Sequence, residues 1–118
     1  MFAFMQRSRE VTAMTAAEAV TRHAAGDIVL IDIRDPSELR HGKARGALNI
    51  PTANLWKYAD PRSTTCQPEL KQGKPIAVYC ASGARSAEAK QMLQRLGHEQ
   101  VHNIGGLVHW RRAGGAVD

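Results

Sequence analysis

Short apolar blocks and amphipathic stretches alternate along this chain, and the blocks are too short for most helices. Ile28-Val29-Leu30-Ile31 and Ile76-Ala77-Val78-Tyr79 are continuous apolar runs of the kind buried on both faces of a parallel sheet. Gly46-Ala47-Leu48-Asn49-Ile50-Pro51 reads as a turn into a brief strand that the proline ends. Val101-His102-Asn103-Ile104 reads as the last strand, which Gly105-Gly106 turn sharply into a helix bearing Leu107, Val108 and Trp110. Glu10-Val11-Thr12-Ala13-Met14 offers a short first strand.

Helices fill the intervals. Thr15-Ala16-Ala17-Glu18 has the spacing of a capping box and opens an alanine-rich helix with Val20 and Ala24 on one face and Gly26 as terminator. Asp35 is placed to cap a short helix with Pro36 at its first position and Glu38 completing the cap. Thr52 to Tyr58 predicts another short helix, which carries Leu55 and Trp56, with Trp56 assigned to the core. Residues 59–73 are polar and turn-rich. From Ser86 to Leu96, Ala89, Met92, Leu93 and Leu96 recur at helical spacing before Gly97 stops the run. Strands alternating with helices predict a doubly wound α/β domain: about five parallel strands, right-handed crossovers and helices on both faces.

A length of 118 residues fits one domain. It is expected over residues 10–113, after a flexible lead-in at 1–9 and before a frayed end at 114–118. Hydrophobic residues make up 43% of the chain without a run long enough to cross a membrane. The opening residues lack the order of a signal peptide, so the expected location is cytoplasmic. The net charge of +5 is scattered, and only six aromatic side chains (two each of Trp, Tyr and Phe) are present as stacking platforms. That distribution argues against nucleic acid and favours small anionic substrates and acidic protein partners. His98 and His102 are separated by the helix-ending Gly97, so no zinc pattern survives and no metal is expected.

Chemistry gathers at Cys80-Ala81-Ser82-Gly83-Ala84-Arg85-Ser86, between a strand and a helix. Backbone amides at such a junction lack intrahelical partners and form a nest for an anion, while the helix N-terminus adds partial positive charge. Cys80 in that field is expected to be an ionised nucleophile, and Arg85 to hold an anionic substrate. Cys66, with nothing basic or glycine-rich around it, reads as a solvated bystander rather than a resolving thiol. Asp32, Arg34 and Glu38 follow a strand end and read as an ion-paired, capping network that places their loop near the active one, with direct substrate contact as the alternative.

The chain resembles the single-domain rhodaneses, sulfurtransferases whose nucleophilic cysteine carries a persulfide. The likeness rests on the Cys80–Ser86 loop, on Leu30-Ile31-Asp32-Ile33-Arg34-Asp35-Pro36-Ser37-Glu38, on Gly46–Pro51 and on Gly105-Gly106-Leu107-Val108-His109-Trp110. Lys43 stands where the family usually has histidine, and Ala81 where thiosulfate-preferring members often have arginine. The resemblance implies catalysis by Cys80, substrate binding by Ala81, Ser82, Gly83, Ala84 and Arg85, and support from Ser86, Asp32, Arg34 and Glu38. No cofactor is implied beyond the covalent persulfide. Expected partners are a small anionic donor such as thiosulfate, or a cysteine desulfurase, and a thiol acceptor such as glutathione or thioredoxin, with cyanide as a further acceptor. The expected state is a monomer or weak dimer. Two other readings stand beside this one: a noncatalytic rhodanese-like binding or regulatory module, and a cysteine-dependent phosphatase or arsenate reductase.

Overall fold

The computed structural model describes residues 13–118. The expected lead-in and most of the expected first strand lie outside the described residues, and Ala13 and Met14 belong to no regular element.

Four parallel strands form the sheet: β1 (Val29–Asp32), β2 (Leu48–Asn49), β3 (Ile76–Cys80) and β4 (Val101–Gly106), in the order β2-β1-β3-β4. This is the predicted α/β arrangement with four strands among the described residues instead of about five. β1 and β3 are adjacent, with Asp32 opposite Tyr79 at their carboxyl ends. From them the chain departs in opposite directions, to β2 on one side and β4 on the other, so the crevice that open parallel sheets use for ligands falls beyond Asp32 and Cys80.

Continuous apolar strands require cover on both faces, and the helices divide to supply it. Leu30, Ala77, Tyr79 and Ile104 pack with Ala19 of α1 (Ala16–Ala24) and Trp110 of α4 (Leu107–Arg112). Ile31, Val78 and Cys80 pack on the other face with Leu55 of α2 (Leu55–Tyr58) and with Ala89 and Leu93 of α3 (Ala84–Arg95). Thr15 and Glu18 make the reciprocal capping bonds at α1, at 3.1 and 2.8 Å. Asp35 and Glu38 do the same for the 3-10 helix Pro36–His41.

Three expectations are corrected. Trp56 is 64% exposed, because α2 is a single turn and Leu55 takes its one buried position. Cys66 is buried with the α3-side core rather than solvated, and burial pushes its thiol up. Residues 114–118 do not fray: Val117 pairs antiparallel with Ala44, the Trp110 indole donates to the Ala116 carbonyl at 2.8 Å, and Arg45 pairs with Asp118 at 2.8 Å.

Candidate active site

Cys80 ends β3, and the chain turns at once over its own side chain. Gly83, at φ +111°, is the N-cap of α3, and its amide returns to donate to Cys80 Sγ at 3.0 Å. A backbone there in the left-handed region favours glycine. A Cβ at residue 83 would also lie 3.3 Å from Gly105 Cα. Ser86, one turn into α3 and fully buried, places its hydroxyl 3.4 Å from Sγ. The thiol is thus enclosed by donors.

Burial pushes the Cys80 thiol up. The Ser86 hydroxyl and then the amides of Ser86, Gly83 and Ser82 outweigh it, leaving the thiol below its ordinary value. For an acid group lowered in this way, the stabilisation of the ionised form is present above the unfolded thiol's value and is lost as pH falls through the folded one. Removing the Ser86 hydroxyl is therefore expected to move the midpoint of Cys80 alkylation upward in pH. A hydrogen bond to a charged group is worth about 1.5–3 kcal/mol, so Ser86→Ala is expected to slow alkylation at neutral pH by about tenfold or more. An unmoved alkylation midpoint in that variant would take Ser86 out of the account.

The loop rests on groups that sequence reasoning did not single out. The Ser86 hydroxyl, whose one proton turns between Cys80 Sγ and Asn103 Oδ1, lies 2.6 Å from the latter, Asn103 Nδ2 donates to the Gly83 carbonyl at 3.0 Å, and the Gly105 amide donates to Asn103 Oδ1 at 2.9 Å. One β4 side chain therefore holds the turn where it enters α3, at Gly83 and Ser86. An asparagine inside a strand was the available signal, since strands are depleted in it.

Gly106, whose ordinary φ of −125° any residue could adopt, is demanded by space alone: a Cβ there would lie 1.9 Å from the Ala81 carbonyl oxygen and 2.9 Å from the Ser82 nitrogen. Both obstacles are backbone. Gly106→Ala is expected to push the loop off β4, displace amides that face Sγ and lower turnover by roughly ten- to a hundredfold. Assay of that variant with a fixed donor checks this, and unchanged turnover would show that the loop does not need its seat on Gly106.

Of the residues singled out earlier, Cys80, Ser82, Gly83 and Ser86 come together around the sulfur. Ala81 and Ala84 are exposed loop and helix-start positions without a polar side chain to offer. Asp32 and Arg34 turn inward: Arg34 Nη2 meets Asp32 Oδ2 at 2.7 Å and the Gly42 carbonyl at 2.8 Å, and the Tyr79 hydroxyl donates to Asp32 Oδ2 at 2.6 Å. Burial, followed by that bond to Asp32, pushes the Tyr79 phenol up, so the group is a fixed donor. Its oxygen also accepts from the Ala44 amide at 2.9 Å, and the Tyr79 carbonyl accepts from the Ile33 amide at 3.1 Å. The network therefore clamps the residue immediately before Cys80. Direct contact of Asp32 and Arg34 with the loop side chains is not part of it.

Glu38 instead reaches the loop. Its carboxylate takes Arg85 Nη1 at 2.8 Å and Nη2 at 3.0 Å, while Oε2 also accepts from the Asp35 amide at 2.9 Å. The Arg85 guanidinium draws the Glu38 carboxyl down to about 2, so the pair stays ionised throughout the neutral range. Beside the loop runs a groove of about 440 Å³ lined by Met14, Thr15, Ser82, Gly83, Gly105 and His109. A second cleft, of about 480 Å³, lies among residues that precede β3 and β4, including Lys74 and Gln100, at the opposite ends of the strands. Among the described residues no group of three or more His, Cys, Asp or Glu side chains is disposed to hold a metal ion, and no helix is long and apolar enough to cross a membrane.

Residues 15–113 match the family described as Rhodanese-like domain. A sulfurtransferase from Allochromatium vinosum is 34% identical over 89 residues, covering 75% of this chain and 76% of that protein. The Bacillus subtilis protein YqhL, described as uncharacterized, is 34% identical over 82 residues, 69% of this chain, and the match spans only 59% of its length. A solved structure from Rhodopseudomonas palustris CGA009, described as a protein of unknown function and possible tyrosine phosphatase, superposes with a TM-score of 0.78 at 35% identity, covering 97% of this chain and 89% of that one. With the family match spanning most of its length and this fold beneath it, the chain belongs to the Rhodanese-like domain family.

Proposed function

We propose that the chain is a sulfurtransferase that moves a sulfane sulfur from a persulfide or thiosulfate-type donor to a thiol or cyanide acceptor through a persulfide on Cys80. The observation that carries this reading is the Gly83 amide directed at Cys80 Sγ from 3.0 Å, within a loop whose donors hold the thiol below its ordinary value. A thiolate is the nucleophilic form of cysteine. Attack on the outer sulfur of thiosulfate forms the Cys80 Sγ–S bond and breaks the S–S bond to the sulfonate. Sulfite leaves with the bonding pair, and the product is Cys80-S-S⁻. Cyanide then takes the terminal sulfur as thiocyanate and returns the Cys80 thiolate. Each step conserves charge, and the sulfur is carried covalently without a cofactor.

The loop's donors stabilise charge before and after transfer, a role in which one hydrogen-bond donor is worth about 3 kcal/mol. Cys80 is only 1% exposed, so contact is restricted to the outermost donor atom, and the body of donor or acceptor stays at the rim. The groove beside Ser82, Gly83 and His109 suits the approach of a thiol acceptor such as glutathione or a thioredoxin.

The test is turnover of reduced protein with thiosulfate, glutathione persulfide and a sulfur-loaded cysteine desulfurase as donors, read with cyanide, glutathione and reduced thioredoxin as acceptors. Transfer from at least one donor is expected. Failure with every pair would favour the noncatalytic module. The likeness to the R. palustris protein keeps a phosphatase reading in view. The four residues between Cys80 and Arg85 argue against it, because cysteine phosphatases close their loops around a tetrahedral oxyanion with five. Release of phosphate from an aryl phosphate by this chain would reverse that preference.

A further inference from the structure

Arg85 is the cation that an anionic donor would meet at the loop, yet its guanidinium is already engaged. Glu38 takes both terminal nitrogens, and the carboxylate is itself fixed by the Asp35 amide and the 3-10 helix it caps. A two-point guanidinium–carboxylate bond is directional as well as strong, and it takes the end-on Nη1/Nη2 pair and balances the charge that a sulfonate would seek. The Arg85 side chain is 46% exposed, so the pair stands at the rim and not in the core. The neighbouring charges also cancel: Arg34 is matched by Asp32, Arg85 by Glu38, and Asp35 adds a further carboxylate. Cys80, once ionised, carries negative charge into that surround.

We propose that Glu38 is a donor-selecting residue: by occupying the Arg85 fork it disfavours dianionic sulfur donors and leaves the loop to alkyl persulfides of lower charge. This deepens the sulfurtransferase reading and rests on it. Because Cys80 is buried, every donor presents one sulfur to it and leaves its remaining atoms at the rim, where the Arg85–Glu38 pair stands. For thiosulfate those atoms are a sulfonate. It approaches a thiolate and two carboxylates and meets a guanidinium whose charge Glu38 already balances. Like charges brought together without compensation are strongly unfavourable. An alkyl persulfide leaves only a carbon–sulfur stem at the rim. Cys80 thiolate attacks its outer sulfur, the Cys80 S–S bond forms as the donor S–S bond breaks, and the proton stays on the transferred sulfur. The donor departs as a thiolate that takes the bonding pair, so no oxidant, reductant or bound anion is needed. Ala81 adds no cation to the loop and acts in the same direction.

The test compares thiosulfate with 2-hydroxyethyl persulfide, whose body carries no charge, as donors to wild-type protein and to Glu38→Gln, with cyanide as acceptor. The amide keeps an oxygen for the Asp35 amide while removing the charge that holds Arg85. The ratio of thiosulfate to persulfide kcat/KM is expected to rise by about tenfold, chiefly through the thiosulfate KM. Glu38→Asp, which keeps the charge, is expected to retain the wild-type preference. A donor ratio unchanged in Glu38→Gln overturns the selection alone. Parallel loss with both donors, accompanied by a lowered thermal midpoint, also overturns it and makes Glu38 a structural brace. Absence of transfer from either donor in any of the proteins overturns the transferase reading, and the selection with it.

Discussion

Cys80→Ser is expected to abolish sulfur transfer, at least about ten-thousandfold, whereas Cys66→Ser stays within about twofold of wild type. The asymmetry follows from where each sulfur sits. A hydroxyl in the same cradle remains protonated at neutral pH, and covalent catalysis of this kind depends on an activated nucleophile. It also cannot hold the transferred sulfur in a disulfide-like bond. Cys66 is buried in the core, its thiol is pushed up by that burial, and its Sγ donates to the Gln67 carbonyl at 3.4 Å. It would have to be uncovered before it could resolve anything. Steady-state assay of both variants checks the pair, and measurable turnover in Cys80→Ser would remove residue 80 from the mechanism.

Asp32→Ala is expected to cost about 3–5 kcal/mol of folding stability, the usual penalty for leaving one member of a buried ion pair uncompensated. Asp32 is fully buried and Arg34 nearly so. The alanine would leave the Arg34 guanidinium with the Gly42 carbonyl and the Tyr79 ring but no counter-charge, and remove the acceptor of the Tyr79 hydroxyl. Because that hydroxyl and the Tyr79 carbonyl hold the residue before Cys80, the loss should also loosen the turn that carries Cys80. Urea unfolding measures the first effect. Adding Arg34→Met to the same chain is expected to recover part of it, because an apolar pair avoids the stranded charge. A change below about 1 kcal/mol in Asp32→Ala would mean that water or backbone groups solvate Arg34 as well as Asp32 does.

What could be read in advance was what lies contiguously in sequence. Ile76–Tyr79, a small-residue turn and a helical repeat give strand, loop and helix by local rules, and the cysteine's position at their junction follows. The groups that seat the turn were harder to read because they come from far along the chain. Asn103 acts through hydrogen bonds to residues 17 and 20 positions away, and Gly106 acts only by lacking a Cβ where another backbone passes. Neither function has a local pattern. Trp56 shows the opposite limit: an aromatic beside a buried leucine fits the core by composition, but one turn of helix buries one side only. The end of the chain misled for a similar reason. Gly114-Gly115 look like fraying, yet their turn brings Ala116 to the Trp110 indole and Val117 to Ala44, a pairing between segments more than seventy residues apart.

Arg85 illustrates how the same residue can be recognised and its setting missed. Its distance of five positions from Cys80 suggested an anion clamp, but the carboxylate that occupies it lies 47 residues earlier, on a 3-10 helix capped by that same glutamate. The capping role of Glu38 was legible from the Asp35-Pro36-Ser37-Glu38 spacing. Its second role required the fold to bring the ends of β1 and β3 side by side.

Intact mass spectrometry of reduced protein after brief exposure to a persulfide donor tests the central claim most directly. The account predicts one added sulfur per chain, about 32 daltons, located to the peptide bearing Cys80, retained in Cys66→Ser and removed by cyanide. An adduct that survives in Cys80→Ser, or that maps to Cys66, would contradict it.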